Sequence, residues 1–152
     1  MLAEKDICEG AKLTPFGKLP PCADGMILEK LLRDGDKIIG YISGPTLLNA
    51  IGLCSWIPKE CHITTNNYRY QLPANTHIRI YTPVVAINND NAPYLQMIDA
   101  ITAMEQYPVD AEKPNEILRG ILWSGNLSNE RLIFYARKHY GQEILLKISD
   151  IT

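Results

Sequence analysis

The sequence predicts an α+β domain: a small mixed or antiparallel sheet packed with helices and followed by a helical C-terminal tail. Three observations carry this. A strand, a capped short helix and a second strand are written in one compact run, KIIGYISGPTLLNAIGLCSWIPKECHITT, from Lys37 to Thr65. Further short β-type runs follow as far as Ile87, and from Pro93 onward apolar residues recur at helical steps. Strands grouped first and helices grouped after are the pattern of segregated α+β architecture.

Residues 1–23 read as an irregular lead-in arm. Thr14-Pro15-Phe16-Gly17 and Leu19-Pro20-Pro21 interrupt any helix or central strand, and Phe16 and Leu19 are the side chains available to clip the arm to a core. Asp24 is a candidate cap for a helix reaching Arg33, with Ile27, Leu28, Leu31 and Leu32 on one face and Glu29, Lys30 and Arg33 on the other. Asp34-Gly35 stops that helix. Lys37 to Ile42 is then mostly apolar and rich in β-branched residues, which predicts a buried central strand. Ser43 is placed as an N-cap and Pro45 in the first turn of a helix over 46–51, which Gly52 ends in the left-handed conformation with Leu53 folding back. After Trp56-Ile57-Pro58, Cys61, Ile63 and Thr65 alternate with His62 and Thr64, the pattern of a strand with one buried face.

Asn66-Asn67 predicts a turn, 68–71 a short strand, and Pro73-Ala74-Asn75 the next turn. Ile78 and Ile80 point inward from a strand whose other face carries His77, Arg79 and Tyr81, and 84–87 reads as one more short strand. Pro93 opens a helix striped by Tyr94, Met97, Ile98, Ile101 and Met104, and Tyr107-Pro108 breaks it. Pro114 suits the first turn of a helix reaching Trp123, ended by Ser124-Gly125-Asn126. Ser128 caps the next, with Leu127 and Leu132 at staple positions and Gly141 as its end, and a last helix runs over 142–148. One domain of 152 residues results: the arm, helix plus sheet over 24–88, and helices over 91–152.

Fifteen basic and seventeen acidic residues give a net charge of −2, which removes a chain-wide basic footprint for nucleic acid but leaves local patches open. No apolar run approaches the roughly 18 residues of a membrane span, and MLAEKDICEG lacks the form of a signal peptide. The expected location is the cytoplasm, with no membrane partner. Cys8, Cys22, Cys54 and Cys61 form no C-x-x-C pair, and Cys54, Cys61 and His62 match no zinc spacing, so no metal and no cofactor is expected.

Catalytic motifs are missing as well. Ser43-Gly44-Pro45-Thr46 lacks the frame of a nucleophile elbow, and neither a phosphate loop nor a dinucleotide turn occurs. His62, His77 and His139 have plain readings as residues of amphipathic strands or helices. The sequence therefore predicts a non-enzymatic chain; the alternative is a small hydrolase or transferase with a site built from His62, His77 and Asp99. Tyr68, Arg69, Tyr70, Arg79 and Tyr81, with His77, are the candidate partner surface, because aromatic and cationic side chains both stack on nucleic acid and are enriched in protein interfaces. The plainer reading is a hairpin whose polar face meets water.

The segments Leu13-Thr14-Pro15-Phe16-Gly17-Lys18-Leu19-Pro20-Pro21, Ile38-Ile39-Gly40-Tyr41-Ile42-Ser43-Gly44-Pro45-Thr46-Leu47-Leu48-Asn49, Ile51-Gly52-Leu53, Pro58 and Ile63-Thr64-Thr65-Asn66 resemble the C-terminal domain of AbiEi-type antitoxins. The similarity covers most of the chain, with the strand end G-Y-I-S-G, the short helix and G-L as its signature. The resemblance implies a bacterial type IV toxin-antitoxin system. There an N-terminal winged helix binds the promoter, and the C-terminal domain opposes a nucleotidyltransferase-like toxin without a stable inhibitory complex. The segment before Thr14 is too short for a winged helix, so promoter binding is not carried over to these residues; a DNA-binding regulator with its winged helix upstream of Met1 is a third reading. A toxin role is not implied, since no G-S motif followed by a D-x-D pair is present.

Overall fold

A computed structural model describes residues 25–152. The lead-in arm and the capping role of Asp24 lie outside the described residues. Helix α1 (Gly25–Leu32) buries Ile27, Leu28, Leu31 and Leu32, the face predicted for it. A two-stranded hairpin follows, β1 (Arg33–Asp34) antiparallel to β2 (Lys37–Ile38), turning at Gly35 with φ of +62°. The predicted strand over 37–42 is therefore split. Ile39 donates its N–H to the Leu32 carbonyl, which ends the hairpin, and the chain re-enters β structure as β3 (Gly40–Ile42).

The main sheet has the order β3, β4 (Cys61–Thr65), β5 (Ile78–Tyr81). The strand predicted to be central is thus an edge, and β4 takes the centre. All five β4 residues are buried, where alternation predicted one buried face, because β4 is paired along both sides and covered by helices. β3 runs antiparallel to β4 with Ile42 opposite Ile63, but β5 is parallel to β4, with His62 opposite Arg79 and Thr64 opposite Tyr81. A parallel neighbour requires a crossover and not a hairpin. Residues 66–77 make that crossover, so the strand predicted over 68–71 is a turn closed by Tyr70 N–H to the Asn67 carbonyl. The strand predicted over 84–87 is also absent. Asn66 replaces a ladder partner there: its amide donates to the Ile87 carbonyl and its side-chain oxygen accepts the Ile87 N–H, both at 2.8 Å.

Helix α2 (Gly44–Ala50) starts after Ser43 in extended backbone, as the sequence predicts, with Pro45 in its first turn. The Ser43 hydroxyl does not cap it, however; it accepts from the Thr64 hydroxyl at 2.8 Å and ties β3 to β4. Gly52 takes φ of +86°, and Leu53, fully buried, returns its N–H to the Leu48 carbonyl at 2.8 Å, a helix end closed by a left-handed residue.

The C-terminal half comprises α3 (Ala92–Gln106), α4 (Pro114–Ser124), α5 (Asn129–His139) and α6 (Gln142–Ile151). Ser128 caps α5 through the Arg131 N–H, and Leu132 is fully buried, as the staple requires. Gly141 does not end α5 in a left-handed turn; it is the extended residue that opens α6. One apolar cluster joins both halves, from Leu28, Leu47 and Ile63 to Ile98, Leu118, Leu132 and Ile148. A smaller cluster of Tyr41, Ile87, Ala92 and Leu95 packs β3 against the start of α3. No helix among the described residues is long and apolar enough to cross a membrane.

Candidate functional site

β3, β4, β5 and the C-terminal half of α3 line an open cavity of about 260 Å³, reached by Tyr41, Ser43, His62, Thr64, Tyr81, Asp99, Thr102, Gln106, Tyr107 and Tyr140. Strand alternation supplies the first of these: with Gly40 and Ile42 turned to the main core, Tyr41 faces the other way. Helix α3 supplies Asp99 one turn before Ala103, and the residue that ends α5 supplies Tyr140.

Asp99 is the electrostatic centre. Its carboxylate accepts the Tyr140 hydroxyl at 3.2 Å, and the Tyr41 hydroxyl donates toward the same group. Burial raises the Asp99 carboxyl to about 6, against the pull of both tyrosine hydroxyls in the other direction. The two tyrosines respond in kind. Burial first and the neighbouring carboxylate second push both phenols well above their ordinary range, so they stay protonated and keep donating.

His62 is nearly buried, stacked on Tyr81 with ring centroids 5.3 Å apart, and set edge-on to Tyr107 at 6.3 Å. Its Nδ1 has no hydrogen-bond partner and lies against Gly44, where a Cβ would come within 3.1 Å of it. Gly44 holds φ of +57°, so glycine there meets both the backbone and the space requirement. Burial lowers the His62 pKa, with Glu60 and Arg79 acting in opposite directions, and the imidazole is neutral at pH 7. No hydrogen bond among the described residues connects this ring to Asp99 or to the Ser43 hydroxyl.

His62 and Asp99 thus share one cavity. His77 does not belong to it, being exposed just before β5. Cys54 and Cys61 are buried thiols, and no group of three or more His, Cys, Asp or Glu among the described residues is arranged to hold a metal ion.

The five candidate surface residues divide into two pairs and one anchor. Tyr68 and Arg69 are exposed on the crossover, with the guanidinium 5.9 Å from the Tyr68 ring centroid. Arg79 and Tyr81 lie on β5, where the Arg79 guanidinium sits 5.6 Å from the Tyr81 centroid and 4.0 Å from a Glu60 oxygen. Tyr70 is half-buried against the core and flanks a separate hollow with Lys30, Arg33 and Asn67. No hydrogen bond, ion pair or ring contact among the described residues joins the two pairs. Tyr41, Tyr107 and Tyr140 were not legible as site residues. One signal did point to Asp99: α3 is mostly buried as far as Ala103, so the acid in its middle lacks the solvated setting that Glu105 has in the last turn.

No family model, no curated protein and no solved structure matches this chain.

Proposed function

We propose that this chain is a non-enzymatic, antitoxin-like binding domain of a bacterial type IV toxin-antitoxin system, acting in the cytoplasm against a nucleotidyltransferase-like toxin. What carries the reading is the structural use of the G-Y-I-S-G-P and G-L residues. Gly40 packs on the end of α1, Ser43 joins β3 to β4, Gly44 closes over His62, and Gly52 with Leu53 ends α2. The segments of the resemblance that fall among the described residues, from Ile38 to Asn66, thus form the hub that joins α1, β3, α2 and β4. The exposed Tyr68–Arg69 pair, and exposed Arg79 beside half-buried Tyr81, offer the aromatic and cationic groups that a protein or nucleic-acid partner would engage.

The double variant Arg69→Ala, Arg79→Ala is expected to keep its unfolding free energy within about 0.5 kcal/mol for each exposed position, while relief of toxin-induced growth arrest is reduced. Denaturant melts and growth curves read the two quantities. Full relief by the stable double variant would remove both pairs from the interface. Sequencing the DNA beside this reading frame tests the toxin link itself: a nucleotidyltransferase frame is expected there, and its absence counts against the link.

One observation favours the second reading, a small hydrolase or transferase. His62 and Asp99 reach the same cavity, although His77 does not. If growth relief were lost in a stably folded His62→Gln variant with the surface pairs intact, the cavity and not the surface would carry the function.

A further inference from the structure

We propose that the open cavity between the main sheet and α3 is a receptor site for a small organic cation, a guanidinium or primary ammonium group, held by the Asp99 carboxylate among tyrosine side chains. A carboxylate offers about four acceptor directions, and Tyr41 and Tyr140 occupy two. The remaining directions are open to a ligand, since Asp99 is half-buried and lines the cavity. No lysine or arginine lines the cavity among the described residues. The Arg79 guanidinium rests on Tyr81, a lining residue, and is balanced by Glu60. The negative charge within is consequently uncompensated, which disfavours phosphates and carboxylates as ligands and favours a cation.

The walls suit the same chemistry. Tyr107 and Tyr140 line the cavity with aromatic side chains, a residue type that attracts cations, while the Tyr81 ring is already engaged by His62 and Arg79. The chain already uses this contact in several places among the described residues: Arg79 lies 5.6 Å from the Tyr81 centroid, and Arg131 lies 4.8 Å from that of Tyr94. Neutral His62 adds no opposing charge. A cavity of about 260 Å³ is smaller than the roughly 300–1,000 Å³ typical of drug-sized ligands, so it fits a headgroup and not an extended molecule. Two larger hollows fit the proposal less well. In the one beside the C-terminus, Arg119 is bound to the Ile151 and Asp150 carbonyls; Lys30 and Arg33 line the other.

Six titratable side chains face one another here: Tyr41 from β3, His62 from β4, Tyr81 from β5, Asp99 from α3, and Tyr107 and Tyr140 from the helix ends. Asp99 takes up a proton as pH drops through about 6, and protonation of His62, whose pKa burial lowers, adds positive charge in the same cavity, so both changes make cation affinity fall on acidification.

The test titrates the ¹⁵N-labelled full chain at pH 7 with n-butylamine, standing for a free amine, and with N-acetyl-arginine amide, standing for an arginine side chain of a polypeptide. N-acetyl-citrulline amide is the uncharged control. Saturable amide shifts are expected around Tyr41, Ser43, Asp99 and Thr102, with the citrulline probe weaker by roughly tenfold or more. The tighter of the two cations identifies the source. Asp99→Asn should weaken binding by a similar factor, with the same spectrum reporting whether the variant is folded. Thr102→Lys, which tethers an ammonium group in the cavity, is the second variant and should abolish binding. Equal affinity for arginine and citrulline probes, full affinity in either folded variant, or no saturable shift with either cation would overturn the proposal. None of these outcomes bears on the antitoxin reading, which rests on the hub and the surface pairs.

Discussion

Replacement of Gly40 by alanine is expected to destabilise the fold by at least about 3 kcal/mol, the upper part of the range for overpacking a core. A Cβ at this position would fall inside contact distance of the Leu31 carbonyl oxygen, 2.9 Å from the Thr65 Cβ and 3.0 Å from the Thr64 carbonyl oxygen. Two of these three atoms are backbone, so no rotamer change relieves the clash. The Leu31 carbonyl is also held in place, because it accepts the Thr65 hydroxyl at 2.6 Å. Moving β3 away would break its pairing with β4 and open the gap between α1 and the sheet. With total stabilities near 5–15 kcal/mol, such a loss lowers the melting temperature by about 10 °C in a chain of this size. Gly120→Ala is the control. Nothing lies within 4 Å of a Cβ there, in the interior of α4, so the substitution should stabilise by up to about 1 kcal/mol. Denaturant midpoints of the two variants should move in opposite directions; equal shifts would mean that α1 does not pack on β3 through Gly40.

The second large effect is the pH dependence contributed by Asp99. Its carboxyl is raised in the folded chain to about 6, from an ordinary value of 3.8. Between those values the native state keeps a proton that the unfolded chain has lost, so stability falls as pH rises from about 4 to about 6 and stays reduced above. At 1.36 kcal/mol per pKa unit the penalty is about 2–3 kcal/mol. His62 acts in the opposite sense. Its pKa is lowered on folding, so its contribution is full above the unfolded value of about 6.5 and is lost as pH falls below it. The raised phenols of Tyr41 and Tyr140 add a loss of stability as pH rises past about 10, where unfolded tyrosines ionise and these do not. Asparagine at position 99 can still accept from Tyr140 without carrying charge. Asp99→Asn should therefore remove the decline between pH 4 and 6 and match or exceed wild type at pH 7. Parallel curves for the two proteins, measured by urea unfolding across that window, would show that burial of Asp99 carries no such penalty.

The helices were legible because each carries its own punctuation. Ser128 with Leu127 and Leu132, Pro93 and Pro114 at first turns, and Gly52 followed by Leu53 are local signals, and all are used as such. The order of strands was not legible. The parallel pairing of Cys61–Thr65 with Ile78–Tyr81 depends on how residues 66–77 cross over, and no short-range pattern reports that. The strand expected over 84–87 failed for a related reason, since Asn66 meets the Ile87 backbone with a side chain and leaves no ladder to extend. In the cavity, His62 and Asp99 could be singled out as titratable residues on buried elements. Tyr41 and Tyr140 could not, because their meeting with Asp99 joins residues 41 or more positions apart.

The most direct measurement is growth of cells that express a nucleotidyltransferase-like toxin encoded beside this reading frame, with and without this chain. Relief of growth arrest, with no stable complex of the two proteins recovered by affinity capture, is the expected result. Continued arrest in the presence of folded, well-expressed chain would contradict the antitoxin reading.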